Sequence, residues 1–591
     1  MSEQNRRVGR NARMYGGETA ASHVAAMPIW RYRFVLTIIF MAMAVLVGRI
    51  VYLQVFDHQF LQGQGDSRTI RVQSIDAHRG MITDRDGEPL AVSTPVVTLW
   101  ANPRDLPEDP VQLTRLAEAL GEQPSDFMAR VKNYRDKEFM YLKRRVTPEP
   151  ASRVLALDIP GVHGRHEYKR YYPAGEVTSQ LVGMTNIDDH GQEGLELAFD
   201  RYLSGLPGQR RVLQDRKGQL VRDLHMIREA HPGGDVTLSI NLRLQYLAYR
   251  ELKAAVNEHN ADSGTLVMMD AHTGEVLAMV SLPSYNPNNR TSVDPAGLRN
   301  RSLTDAFEPG SVMKPLAMSA GLESGKFTPD TPMDTSPGWM MVDGYTIKDT
   351  RNFGKLDMTG VITHSSNIGM THMALALPDD AIWNVYDDMK LGHPTGLGFP
   401  GEATGSLPSP FSWSKAKRAT LSYGYGLSVN AVQLASAYTA ITNDGKQVPP
   451  SLLKLNKPPE GHRVMSSKTS HELIRMMETV VEPGGGGTRA ALEGYRVAGK
   501  TGTVRKVGNT GYQKEAYRSN FVGIAPASNP RIVTVISIDN PKGKEYYGGL
   551  VAAPIFSRVA GNALRLLDVP PDDQSKAVSY THLTLPTICS V

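Results

Sequence analysis

At 591 residues, 41% hydrophobic and 21% charged, the chain has the composition of a folded protein of several domains, which excludes a disordered or low-complexity one. A net charge of +5 on 65 basic and 60 acidic side chains is too slight a bias to imply nucleic acid as a partner. Its one cysteine, Cys589, excludes a disulfide within the chain.

Residues 1–33 carry Arg6, Arg7, Arg10, Arg13, Arg31 and Arg33 against Glu3 and Glu18. The following 23 residues, Phe34–Phe56, hold a single charge, Arg49, and are long enough to cross about 30 Å of hydrocarbon. Arg49 lies near one end, where its stem can carry the charge to the interface. The basic lead predicts an N-terminus in the cytoplasm and the body on the far side. The lead is long for a signal peptide and no small-x-small site follows the apolar run, so an uncleaved single-span anchor is expected.

In residues 57–235 the clearest pattern is "AHRGMITDRDGEPLAVS" (Ala77–Ser93), whose "RDGE" turn between apolar flanks predicts a hairpin. Arg79, Arg85 and Glu193 in this region suit interdomain ion pairs or solvated surface equally well. A boundary falls at "HPGGDVTLSI" (His231–Ile240), so residues 236–568 form a second domain. It opens with a helical pattern over Asn241–Asn260 and two strands about "HTGE" within Gly264–Ser281. It closes with three strands, "RVAGKTGTV", "SNFVGIAP" and "RIVTVISIDN", and a helix in Ala553–Leu567. One antiparallel sheet with helices packed on it accounts for this order. The tail, 569–591, breaks at "PPDD", and from about Ala577 it reads as sequence foreign to the protein.

Three motifs carry chemistry. "FEPGSVMKP" (Phe307–Pro315) places Ser311 three residues before Lys314, one turn apart on a helix that the Pro-Gly pair suits as a start. The hydroxyl and amine can then come within hydrogen-bond reach, and a desolvated lysine can accept a proton from serine. The spacing alone says little, since Ser412/Lys415, Ser414/Lys417 and Ser451/Lys454 share it. Company makes the difference. "HSSNIG" supplies Ser365 and Asn367, a hydroxyl to relay a proton and an amide to hold a carbonyl. "AGKTGTV" supplies Lys500, Thr501, Gly502 and Thr503, where a lysine and threonine hydroxyls suit a carboxylate and glycine admits a ligand against the strand. Glu402, in "FPGEATGSLP", sits in a Gly/Pro-rich loop without an E-x-x-x-N pattern, and "PGGGGT" (Pro483–Thr488) lacks the Lys of a phosphate loop.

S-x-x-K, S-x-N and K-T-G in this order resemble the serine penicillin-recognising acyltransferases. The anchor, "RGMITDRDG" and "YYPAGEVTSQLVG" resemble class B penicillin-binding proteins. "SYGYGLSVNAVQLA" and "YYGGLVAAPIF" add a likeness to the septal, FtsI-type peptidoglycan D,D-transpeptidases, from about residue 30 to 570. The resemblance implies an α+β transpeptidase domain, an antiparallel sheet with helices on both faces and a helical subdomain, behind an anchor at 34–56 and a non-catalytic pedestal at 57–235. It implies that Ser311 is acylated by a D-Ala-D-Ala stem and Lys314 takes its proton. Ser365, with Lys500, passes a proton to the leaving group, and Asn367 orients the peptide. Thr501 and Thr503 hold the carboxylate beside Gly502, and the N–H groups of Ser311 and Thr503 form the oxyanion hole. It further implies no metal or cofactor, β-lactams as inhibitors, and a place in the bacterial inner membrane at the septum. The catalytic domain would face the periplasm, with a membrane glycosyltransferase and other division proteins as partners. An elongation-type transpeptidase, a D,D-carboxypeptidase or β-lactamase, a β-lactam sensor or a division scaffold are the alternative readings.

Overall fold

The computed structural model describes residues 29–215, 220–289, 294–508 and 511–573. The expectations for the arginine-rich lead up to residue 28 and for the tail with Cys589 lie outside the described residues. Two compact units emerge, one of residues 1–73 with 209–227, the other of residues 74–208 with 228–591.

The first unit contains the apolar helix Ile29–Val51, which continues through a π-helical turn at Tyr52–Phe56. Its 28 residues are long and apolar enough to cross a membrane, and none of its side chains is buried by the protein. It begins five residues before the expected start at Phe34, taking in Arg31 and Arg33 with Ile29, Trp30 and Tyr32. The polar stretch that follows is a helix, His58–Thr69, a state its two glycines and weak periodicity did not announce. A three-stranded sheet completes the unit, with Gly208–Gln214 between Ile70–Ile75 and Leu220–Arg228. Arg210 fastens all three strands, donating to Gln73 at 3.1 Å and pairing with Asp223 at 2.8 Å.

The second unit opens with the expected hairpin, Ile82–Thr83 against Pro89–Ala101. The Asp84 carboxylate accepts from Asp86 N and Glu88 N at 2.8 and 2.9 Å, the local bond that makes aspartate a turn residue. Pro89–Ala101 pairs antiparallel with Met140–Val146 and with Val162–Tyr171. Helices Pro110–Leu120, Pro124–Asn133 and Pro148–Leu155 each begin on proline, whose missing N–H is no loss there. They bury Leu116, Phe127 and Val154 with Leu99 and Leu142 in a separate small core.

Beside this core lies a buried charge cluster. Glu196 is fully buried and accepts from Arg79 at 2.8 Å and from Arg170 at 2.6 Å, both of which are also buried. Arg79 donates further to Asp200 and Ser204 at 2.8 and 2.7 Å. The solvated reading of Arg79 therefore fails, and its partner is Glu196 rather than Glu193, which joins no ion pair among the described residues. Arg85 does form an ion pair, with Glu275 at 3.4 Å.

The rest of the unit is built on a five-stranded antiparallel sheet in the order Val276–Leu282, Ser263–Asp270, Ile532–Asp539, Gly511–Ala525, Ala498–Gly508. Helices Leu242–Glu258 and Ala553–Leu566 cover one face with their apolar stripes. The other face receives Ala431–Thr442, buried along its whole length, and Lys314–Glu323 with a further set of helices. Small alanines let the Ala431–Thr442 helix pack closely on every side, and Asn430 and Gln433 close its N-terminus as a capping box. This is the expected fold, with helices on both faces of one antiparallel sheet.

Glu196→Ala removes the carboxylate that two buried guanidiniums share, leaving Arg79 with Asp200 and Arg170 with no ion pair among the described residues, and is expected to lower stability by about 3–5 kcal/mol. Urea unfolding of the variant beside Glu196→Gln, which keeps one acceptor oxygen, measures the loss.

Candidate active site

The turn carrying Ser311 is a 3₁₀ helix, Gly310–Met313, and the α-helix starts only at Lys314. Ser311 therefore precedes the α-helix that the sequence was expected to begin with it. In a 3₁₀ turn residues i and i+3 eclipse, so Ser311 and Lys314 share a side. The turn is clamped from three directions. Phe307 N and Gly310 N donate to Val429 O and Gly424 O at 2.9 and 3.0 Å, and Tyr438 donates to Val312 O at 2.5 Å. Asn520, from the sheet, donates to Pro309 O at 3.1 Å. Gly310 has φ +63°, and a Cβ there would stand 2.3 Å from a Val504 methyl. Only glycine meets both conditions.

Lys314 is fully buried. Its amine contacts Ser365 O at 2.5 Å, Ser365 Oγ at 3.0 Å and Asn367 Oδ1 at 2.9 Å. Among the described residues no hydrogen bond joins it to the Ser311 hydroxyl, which is half-buried. The expected S-x-x-K contact is thus replaced by one between the first motif and the second.

The second motif sits where helix Met358–Thr363 gives way to Asn367–Ala376. Ser365 has φ +57°, a left-handed conformation uncommon for serine, and presents both its carbonyl and its hydroxyl to one amine. Ser366 caps the second helix, accepting from Gly369 N at 2.9 Å. Asn367 accepts from Lys314 and donates to Lys348 O at 2.9 Å, so both ends of its amide are fixed. Asp349 receives Ser366 Oγ and Asn367 N at 2.5 Å each and Ile368 N at 3.2 Å. Sequence reading missed Asp349, which lies in no motif and is brought in by a hairpin.

The third motif lies on Ala498–Gly508, the edge of the five-stranded sheet. Thr501 and Thr503 fall on one face and Gly502 on the other. A Cβ on Gly502 would meet Pro309 O and a Val312 methyl at 3.1 Å, so glycine lets this strand lie on the Ser311 turn. Thr503 Oγ1 accepts from Gly548 N at 2.9 Å, and a Cβ on Gly549 would fall 2.0 Å from Gly486 O. This ties "PGGGGT" and "YYGG" to the K-T-G strand as close backbone contacts. Lys500 is fully buried and donates to Thr501 O at 3.2 Å.

Burial alone lowers the Lys500 amine to about 7. Lys314 is lowered well below the usual lysine value, first by burial and then by Lys500, with Asp349 opposing. A neutral Lys314 fits its surroundings, because two N–H groups can serve Ser365 O and Asn367 Oδ1 while its lone pair accepts from the Ser365 hydroxyl. A cavity of about 450 Å³, lined by Phe307, Glu308, Gly426, Val504 and Arg505, opens beside the Ser311 turn.

Other matches to the first motif have ordinary structural work. Ser414 caps Lys415–Ser422, Lys417 donates to Gly426 O at 2.9 Å, and Ser451 and Lys454 bond to Leu453 O and Arg85 O. Glu402 accepts from Thr395 N at 2.7 Å within its own loop.

Residues 264–561 match the family model of the penicillin-binding protein transpeptidase domain, and residues 74–238 that of the penicillin-binding protein dimerisation domain. The chain is 47% identical to the probable peptidoglycan D,D-transpeptidase PbpC of Pseudomonas aeruginosa, over 92% of this chain and 96% of the relative. It is 42% identical to the peptidoglycan D,D-transpeptidase FtsI of Escherichia coli K12, over 92% and 93%. The apo transpeptidase domain of Burkholderia pseudomallei penicillin-binding protein 3 superposes with a TM-score of 0.53 at 44% identity, covering 57% of this chain and 97% of that one. Penicillin-binding protein 3 of Mycobacterium tuberculosis, complexed with aztreonam, gives 0.67 at 28% identity, covering 84% and 98%.

Gly310→Ala should cost about 1–3 kcal/mol, from a forbidden φ and a clash with Val504. Gly325→Ala, at φ +70° with nothing within 4 Å, should lose only the backbone part. Thermal unfolding of the two side by side separates the contributions. A second expectation concerns pH. Folded Lys500 releases its proton near pH 7, whereas an unfolded lysine holds its own to 10.5. Over that interval the unfolded chain binds the extra proton, so stability rises with pH, and the full cost of the buried charge is felt below 7. Lys500→Met should flatten the rise in urea midpoints between about pH 7 and pH 9.

Proposed function

This chain belongs to the penicillin-binding transpeptidases, and from that membership we propose a specific course for its reaction, peptidoglycan D,D-transpeptidation with Ser311 as the acylated residue. The observation that carries the assignment is the buried Lys314 amine, held by Ser365 and Asn367 beside a turn that presents Ser311. Among the described residues, neither Ser414/Lys417 nor Ser451/Lys454 has such company.

A stem peptide ending in D-Ala-D-Ala lies along Ala498–Gly508, whose free edge offers the backbone groups of an unpaired strand. Thr501 and Thr503 take its terminal carboxylate. Ser311 Oγ attacks the penultimate carbonyl while Lys314 accepts the hydroxyl proton, its lone pair turning from Ser365. The oxyanion rests on the N–H groups of Ser311 and Thr503. The C–N bond then breaks, and Ser365, with Lys500 near it, returns a proton to the departing D-alanine. An amine of a second stem attacks the ester, its surplus proton passes through Ser365 and Lys314 to Ser311 Oγ as the ester C–O bond breaks, and Ser311 is regenerated with one cross-link made. Asn367, fixed at both ends of its amide, orients the donor chain. β-Lactams enter the same first step and remain as the acyl group.

The N-terminal helix supports a single-pass membrane protein. We place its body in the periplasm at the division septum, with a membrane glycosyltransferase and other division proteins as partners, in line with the FtsI relatives.

Incubation with a penicillin followed by intact mass is expected to give a stable one-to-one adduct that Ser311→Ala abolishes. A stem-peptide assay should then show transfer to an amine acceptor. An unchanged adduct in Ser311→Ala would overturn the assignment, and release to water alone would make the protein a carboxypeptidase.

A further inference from the structure

Lys314 and Lys500 are both fully buried, and among the described residues neither has an ion pair. Two amines in one dry site oppose each other's charge, and something must set how strongly. The charged and titratable groups that bear on Lys314 come from three elements. Lys500, on the K-T-G strand, disfavours the ammonium, while Asp349, at the exit of a hairpin, favours it. The Tyr423 ring centre lies 6.0 Å from the amine, and burial, Tyr425 and Asp349 together push its hydroxyl well above the tyrosine range.

Asp349 also has a mechanical part. Strands Trp339–Val342 and Tyr345–Lys348 form the hairpin, with Trp339 opposite Lys348. Its exit is held where Asp349 N donates to Gly338 O at 3.1 Å. From there two successive residues grip the S-x-N turn, Lys348 O by Asn367 Nδ2 and the Asp349 carboxylate by three donors. The turn includes Ser365 in its left-handed conformation, which a free chain would not keep.

We propose that Asp349 is a positioning residue for acylation: its carboxylate gathers the Ser366 hydroxyl and the Asn367 and Ile368 N–H groups into one turn, holds Ser365 and Asn367 on the Lys314 amine, and supplies the counter-charge that this amine faces. The inference rests on Ser311, Lys314 and Ser365 being the reacting set. It adds a fourth motif outside the three, carried by a hairpin with no contact of its own to the reacting bond.

The test uses the full-length chain in detergent and a fluorescent penicillin, with the acylation rate followed across pH. Asp349→Asn keeps one acceptor oxygen and loses the charge, and Asp349→Ala loses both. Acylation should slow about 10- to 100-fold in Asp349→Ala and less in Asp349→Asn, as for the loss of charge-assisted hydrogen bonds. Non-covalent affinity, measured by displacement in the Ser311→Ala background, should stay within a few-fold of the parent. In Asp349→Asn the acid limb of the rate profile should move to lower pH, because a carboxylate that favours the Lys314 ammonium has gone. Parent acylation that depends on Ser311, together with an unchanged rate and limb in Asp349→Asn, would overturn the proposal while leaving the reaction intact. A slower rate with an unmoved limb and a matching fall in affinity and Tm would reduce Asp349 to a packing role, and would overturn it as well. A parent that is not acylated at Ser311 would instead fail the reaction assigned above.

Discussion

The arrangement depends on removing the Lys314 amine from water. An ammonium in that position would need its hydration replaced and would lie near a second buried lysine, so the neutral amine gains by comparison. Such a group cannot be left without partners, and its three are all drawn from the segment Ser365–Asn367. That requirement draws together a 3₁₀ turn, a left-handed serine and a helix N-terminus from places far apart in the chain. Much of the surrounding fold serves to hold these pieces. The Ala431–Thr442 helix anchors the Ser311 turn through Tyr438, and the sheet meets the same turn through Asn520.

The amino-acid sequence made the scaffold legible wherever hydrophobic pattern and turn chemistry agree. "HTGE" between apolar runs gives Ser263–Asp270 and Val276–Leu282, and the three late strands fall in the segments that were expected to hold them. The motifs were legible as a set because their residue types fit one reaction. Their geometry was less so. Spacing suggested a Ser311–Lys314 bond, but side-chain direction is decided by which acceptors stand nearby, and Ser365 and Asn367 stand nearer than sequence separation can tell. Asp349 left no trace, since an aspartate before "TRNFG" looks like one more turn residue until the hairpin folds. Gly310, Gly424 and Gly502 could be seen as glycines but not as the close approaches they permit, which depend on backbone arriving from elsewhere.

The buried Arg79–Glu196–Arg170 cluster shows the same limit in the N-terminal region. Its members are 26 to 117 residues apart, and each alone resembles surface charge. Together they satisfy one carboxylate from two sides. Such a cluster contributes little net stability over well-packed apolar groups, yet it penalises every arrangement in which a single partner is missing. Asp84 works in a similar way at smaller scale. One of its oxygens closes the "RDGE" turn and the other accepts from Leu242 N at 3.0 Å, so a hairpin and the first helix of the following region are joined through one carboxylate.

The position of Ala498–Gly508 at the rim of its sheet has an evolutionary side. What the rim offers a ligand is main-chain N–H and C=O, and among substitutions only one to proline removes an N–H, while none removes a C=O. Escape from an inhibitor that pairs with them has to come by shifting the whole strand, and the residues that fix its height are glycines pressed against backbone: Gly502 on Pro309, Gly548 on Asn520, Gly549 on Gly486. Each would meet a neighbour's carbonyl if it gained even a methyl group. With the peptide bound along this edge as proposed above, a substitution that unseated an inhibitor there would unseat the natural peptide as well, and a variant that spared the peptide would have to act from one layer further out, where a strand can be tilted without being lifted.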